Sequence, residues 1–396
     1  MAIRVGIGLS TNKDYAEAAV EAAREAKASL AVEKVDLAIV FATIDLAYTN
    51  LAKTLQVYLG EVPVIGCSSA ALICNKGVLK QALAIMLLSF PENIYFNAAC
   101  AEDVGAKTPL AAGGELGERL NFGFREVRRD LGVIFSSGVL SDTSKIIQGM
   151  QQRLGLSFPL LGAAASGYLN FSKAYIFFNQ NLLSDAVCGV LFGGKLNFGF
   201  GVKHGWQPLG KPRRVTRSEE NTVYEIDGKA ASGLYEEYFD YRPGRLRKEL
   251  KRISVFYPVG ICLPGEKEYL LRNLLAIREN GSLLFQGDIP EGSEIRLMIG
   301  TKESCLAAAR QAAEEAKARF HSQNLSFALV FDSISRYILL GRNAGKELEI
   351  IKAALGENIP ILGLYTYGEE APLTAINYRG KTYFHNQTVT ILTIGG

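Results

Sequence analysis

Three stretches of the chain share one rhythm of apolar and polar positions. In each, an apolar run of about six residues is followed by a helical stretch and then by a second apolar run holding a Pro-x-x-Gly pattern. The runs are Asp36–Phe41 with Val62–Ser69, Asp130–Phe135 with Phe158–Ala164, and Ser326–Phe331 with Ile359–Tyr365. Short, continuously apolar runs that end at small residues predict strands buried on both faces. Upstream of each pair lies a further strand-like segment: Ile3–Ser10, Ile94–Ala101 and Ile295–Thr301. Ala-rich helical patterns follow, clearest over Tyr15–Leu30 and Glu303–Phe320, with Asp14 and Thr301 at the positions wanted for N-caps. Gly113, Gly114 and Gly117 interrupt the matching helix of the second copy. Each copy closes on another apolar strand: Ala82–Leu88, Ala186–Phe192 and Thr388–Ile394. Strands alternating with helices predict an α/β fold of repeated strand–helix units, forming mixed, largely parallel sheets in two lobes.

Between about residues 196 and 290 the rhythm changes. Trp206–Pro212 reads as a loop, Val223–Ile226 as a strand ended by Asp227-Gly228, Lys229–Phe239 as helical, and Leu274–Ile277 with Leu283–Phe285 as a hairpin about Asn280-Gly281. The expected domains are therefore 1–199, holding two units, and 200–396, holding an inserted subdomain over about 200–290 and a third unit over about 291–396.

Composition narrows the function classes. The 396 residues carry 43 Lys and Arg against 40 Asp and Glu, a net charge of +3 that offers no general attraction to nucleic acid or a membrane surface. The longest apolar runs are far short of the ~20 residues that span a bilayer. The six cysteines are scattered without Cys-x-x-Cys spacing, and the first residues carry no signal-peptide pattern, so a cytoplasmic protein with reduced thiols is expected. No cofactor or metal motif stands out. Gly6-Ile7-Gly8 begins a dinucleotide fingerprint but has Thr11 where the third glycine belongs.

Candidate chemistry gathers at strand ends, where open α/β sheets bind their ligands. Gly66, Cys67, Ser68 and Ser69, with the matching Gly162–Gly167, form either a ligand-facing rim or a place where small residues admit a close neighbour. Cys67 beside two serines has the look of a nucleophile, although a buried, unreactive thiol is the commoner meaning of such a residue. The third copy is the most polar: Arg336, Tyr365, Tyr367, Gly368, Glu369, His385 and Asn386 lie just beyond its strands. Arg336 for a carboxylate and Glu369 for an amine suit a small polar or zwitterionic ligand, the alternative being an internal Arg336–Glu369 pair. The basic run Arg242–Arg252 reads as a solvated face or a partner-docking patch.

Taken in order, these segments resemble the FIST (F-box and intracellular signal transduction) family. The marks are Pro63–Ser69 and the Gly162 copy for the N-terminal domain, and Trp206–Gly210, Asp332–Arg336, Glu347, Gly363–Glu369 and Phe384–Thr388 for the C-terminal domain. The resemblance implies a non-enzymatic cytoplasmic sensory module that binds small ligands such as amino acids and acts through a signalling partner. Two positions depart from the family pattern: Ser333, where cysteine is frequent, and Glu370, where an apolar residue is usual. The rival expectations are an enzyme built on Cys67 or Glu369 and an interaction scaffold.

Overall fold

The computed structural model describes residues 2–46, 49–124, 126–138, 142–167, 173–240, 243–265, 268–373 and 381–396. The three apolar runs are strands Leu37–Thr43, Arg129–Ser136 and Leu325–Ser333, almost wholly buried. Each lies parallel to the glycine-bearing strand that follows it, Val64–Ser69, Leu160–Ala164 and Ile361–Thr366, and antiparallel to its closing strand, Leu83–Ser89, Ala186–Gly194 and Val389–Gly395. The sheets are thus mixed, and their parallel part is one strand pair in each.

Alternation along the middle strands explains their burial on both faces. Leu37, Ile39 and Phe41, Leu131, Val133 and Phe135, and Phe327, Leu329 and Phe331 all enter one shared core. The intervening residues, such as Val40, Ile134 and Val330, lie under helices on the outer faces. At the centre the Phe135 ring stands 5.4 Å from Phe41 and 6.0 Å from Phe331, so the units meet through equivalent residues.

Each six-stranded sheet is completed by a hairpin from another unit. The first unit's Leu72–Cys74 and Gly77–Leu79 extend the third sheet, the second unit's Ile176–Phe178 and Asn181–Leu183 extend the first, and the third unit's Gly368–Pro372 and Thr382–His385 extend the second. This cyclic exchange ties the described residues of 2–203 and 301–396 into one body around the shared core.

The glycines of Pro-x-x-Gly have a steric cause. A Cβ on Gly66, Gly162 or Gly363 would lie 1.8, 1.9 or 2.3 Å from the carbonyl oxygen of Val40, Ile134 or Val330 on the adjoining strand. In the second unit Gly113 does not break the helix, which runs Pro109–Asn121; it admits the backbone of the helix Thr143–Leu154, whose Ile146 oxygen would be 2.1 Å from a Cβ.

The third unit opens differently from the sequence expectation. Its first strand is Asn197–Lys203, paired with Val389–Gly395 and covered by the helix Lys302–Arg319, which Thr301 caps as expected. Gly199 and Gly201 let that helix approach as Gly6 and Gly8 do for Tyr15–Leu30, so Gly6-Ile7-Gly8 is helix packing rather than phosphate binding. A boundary at 200 cuts this strand.

The segment expected as its opening strand, Glu294–Gly300, belongs instead to an inserted eight-stranded sheet. There it pairs with Trp206–Glu219, a strand whose register breaks between Leu209 and Arg213 where Gly210 and Pro212 fall, and not the loop expected. The Asn280-Gly281 hairpin forms as expected, whereas only Gly233–Phe239 of Lys229–Phe239 is helical. The insert packs on a core of its own.

Candidate functional site

Arg336 is fully buried on the short helix Ile334–Leu340. Its Nε donates to Asp332 at 2.8 Å, and its Nη atoms donate to Glu347 and to the carbonyls of His204 and Cys305. The expected partner Glu369 is not among these. Burial and the neighbouring Glu347 push the Asp332 carboxyl well above its usual range, against the pull of the Arg336 guanidinium. With four acceptors on its fork, Arg336 ties together Asp332, Glu347 and Cys305 of the third unit and His204 where the insert begins.

Glu369 accepts from the Thr366 hydroxyl at 2.6 Å and the Thr388 hydroxyl at 2.7 Å, fully buried, and burial lifts its carboxyl to about 7. Glu370, on the opposite face of the strand, accepts from the Ser136 hydroxyl at 2.8 Å, and burial with the adjoining Glu369 lifts it to about 8. His385 bonds the Ala371 carbonyl at 2.8 Å and is held neutral by burial, its pKa pulled down to about 3. Gly368 faces the Phe384 ring, which a Cβ would meet at 2.2 Å.

Gly66, Cys67, Ser68 and Ser69 are all buried. Ser69 and Ser166 both donate to the Tyr365 carbonyl, and Ser68 donates to the Ser166 carbonyl at 2.7 Å, so the ends of the three glycine strands are knotted at the junction of the sheets. Cys67 sits in the shared core with no exposed surface, and burial, reinforced by Glu370, pushes its thiol well up. A thiolate nucleophile needs the opposite environment.

Beside this solid polar core, where the insert meets the third unit, lies a cavity of about 520 Å³. Its walls are Leu250, Val255, Phe256, Leu274, Leu275 and Ile338, with Lys251 and Arg252 from the basic run beside them. Arg242 lies outside the described residues. Ser335 also lines the cavity; it is 3% exposed, and its hydroxyl makes no hydrogen bond to a described residue. The remaining polar lining residues are held from behind. Gln387 donates to Asn273 at 2.7 Å, Asn386 accepts from the Asn273 N–H at 3.1 Å, and Gln286 donates to the Tyr367 carbonyl at 2.7 Å. Asn386 and Tyr367 therefore support this cavity from the layer beneath, while Arg336 lies next to Ser335 in the chain.

Two family profiles cover most of the chain: the FIST N domain matches residues 36–229 and the FIST C domain residues 231–372. The chain belongs to the FIST family. It is similar to an uncharacterized protein of Methanocaldococcus jannaschii, 24% identical over 351 residues that span 81% of this chain and 66% of that protein. Uncharacterized proteins of Mycobacterium bovis and Mycobacterium tuberculosis are 23% identical over 385 residues, 95% of this chain and 96% of each of theirs. The FIST profiles meet inside the insert, and no helix among the described residues is long and apolar enough to cross a membrane.

Sequence reasoning missed Asn273, Gln286 and Ser254, which also lines the cavity, and the apolar wall from Leu250–Phe256. The available signal was Ser335, which stands in a family segment and faces outward from a helix whose next residue, Arg336, faces inward.

Proposed function

We propose that this FIST protein is a cytoplasmic small-ligand sensor whose ligand occupies the cavity between the insert and the third unit. The observation that carries this reading is Ser335, whose hydroxyl has no partner among the described residues, on the lining of a chamber of about 520 Å³, within the ~300–1,000 Å³ typical of small-molecule sites and, like them, walled by apolar side chains with few polar groups. The lining suits a metabolite with an apolar body, a hydrogen-bonding group at Ser335 and an anionic end near Lys251 and Arg252. Amino acids with large apolar side chains are the first class to test. Because the walls come from both the insert and the third unit, an occupant bridges the two bodies and stabilises one arrangement of them, which is the form a signal to a partner protein would take.

The test is a thermal-shift series with leucine, isoleucine, methionine, phenylalanine and medium-chain carboxylates on wild type and on Ser335→Phe, which fills the chamber. Saturating ligand raises the melting temperature of wild type alone. A panel without shifts, or equal shifts in both proteins, contradicts the reading.

A further inference from the structure

A second cavity, of about 170 Å³, lies where three bodies of chain converge: the helix Thr143–Leu154 of the second unit, the insert, and the third unit's hairpin strand Thr382–His385. Arg272 lines it and is only 4% exposed. Its Nε donates to the Asp288 carbonyl at 3.0 Å, and its Nη1 to the carbonyls of Leu271 and Phe384 at 3.0 and 2.9 Å. Nη2 makes no hydrogen bond to a described residue, and no described carboxylate lies within ion-pair distance of the guanidinium. The contrast with Arg336, whose equally buried charge meets two carboxylates, is direct. Buried charges are ordinarily paired. Burial pulls the Arg272 pKa down to about 10, consistent with a cation short of compensation.

Two more polar atoms on the same wall lack partners among the described residues: the Ser144 hydroxyl and the Asp288 Oδ1. A guanidinium nitrogen, a hydroxyl and a carboxylate oxygen left over around one small cavity need one acceptor-rich group and one donor. The other charges nearby are Lys145, 3.9 Å from Asp288, Lys381 on the lining, and Asp142, whose carboxyl caps the helix. Ionised, these and Arg272 outnumber the two aspartates by one positive charge.

We propose that this cavity binds a short monocarboxylic acid carrying a hydroxyl or ammonium group beside its carboxylate. The carboxylate lies on Arg272 Nη2 and the Ser144 hydroxyl, and the neighbouring donor meets Asp288 Oδ1. The volume limits the occupant to a few heavy atoms, and the site is separate from the chamber at Ser335.

Calorimetric titration of the full chain with lactate, alanine and propionate tests this. Lactate or alanine binds at least about tenfold more tightly than propionate, and which of the two is tighter identifies the donor. Ser144→Leu, which intrudes on the cavity while leaving the three Arg272 carbonyl bonds in place, and Arg272→Lys each weaken binding at least about tenfold. Ser335→Phe leaves it unchanged, so failure here and failure of the sensor chamber are told apart. No binding of any of the three acids, equal binding of propionate, or undiminished binding by a folded Ser144→Leu protein overturns the proposal.

Discussion

Glu370 gives the sharpest test of the buried polar core. It is fully buried, takes one hydrogen bond from Ser136, and its other oxygen has no partner among the described residues. Its carboxyl titrates near 8 in the folded chain against an ordinary 4.5, so the folded state binds a proton that the unfolded state has released between those values. The stability from the neutral carboxyl is therefore fully present below pH 4.5 and is lost as pH rises through 8. At ~1.4 kcal/mol per unit, flattening near the upper end, the loss between pH 5 and pH 8 is about 3–4 kcal/mol. Glu370→Gln keeps the acceptor for Ser136 and removes the ionisation. Urea unfolding followed by circular dichroism at pH 5, 6, 7 and 8 reads the difference directly. Variant and wild type come out within about 1 kcal/mol at pH 5, and the variant leads increasingly toward pH 8. The neutral, buried His204 and His385 titrate alike in both proteins and cancel in the difference. Stability curves that stay parallel across this range refute a proton held on Glu370.

Other outcomes follow from the packing. Gly363→Ala places a methyl 2.3 Å from the Val330 oxygen and costs at least about 2 kcal/mol in equilibrium unfolding, whereas Gly345→Ala, on the helix Ala344–Leu355 with open space around it and an ordinary backbone conformation, costs much less. Arg336→Met leaves Asp332 and Glu347 without their cation and releases the His204 and Cys305 carbonyls, a loss of about 3–5 kcal/mol visible in the melting temperature. Alkylation of the native protein at neutral pH followed by peptide mass spectrometry labels exposed Cys262, while Cys67 reacts only after unfolding; rapid labelling of Cys67 in the folded chain contradicts its placement in the core.

Much of the fold was legible because the middle strands are buried on both faces and so carry unbroken apolar runs. Tyr15–Leu30 runs between the residues its pattern indicated, with Asp14 as its cap. What sequence did not reveal is which sheet a strand joins. Leu72–Cys74, Ile176–Phe178 and Gly368–Pro372 follow their glycine strands closely enough to suggest pairing at home, yet each pairs abroad, and pairing between distant segments leaves no local pattern. The opening strand of the third unit was misplaced for a related reason: about a hundred residues of insert separate Asn197–Lys203 from its helix, and Glu294–Gly300 has the right character and stands next to that helix.

Of the candidate site, the polar residues were legible in the sequence and the cavity was not. Arg336, Glu369, His385 and Asn386 were conspicuous because polar residues at strand ends are unusual, but each is satisfied within the protein. The cavity walls come from Leu250–Phe256 and the Asn273–Leu275 segment, where ordinary apolar residues give no signal until the insert folds over the third unit.

The most direct test of the ligand chamber is hydrogen–deuterium exchange of the full chain with and without saturating phenylalanine or leucine, whichever gives the larger thermal shift. With the ligand in the chamber, exchange slows in three separated segments at once, 250–256, 273–275 and 334–338, which share no sequence and meet around the cavity. Slowing confined to other segments, or no change in these three beside a clear thermal shift, would contradict that placement.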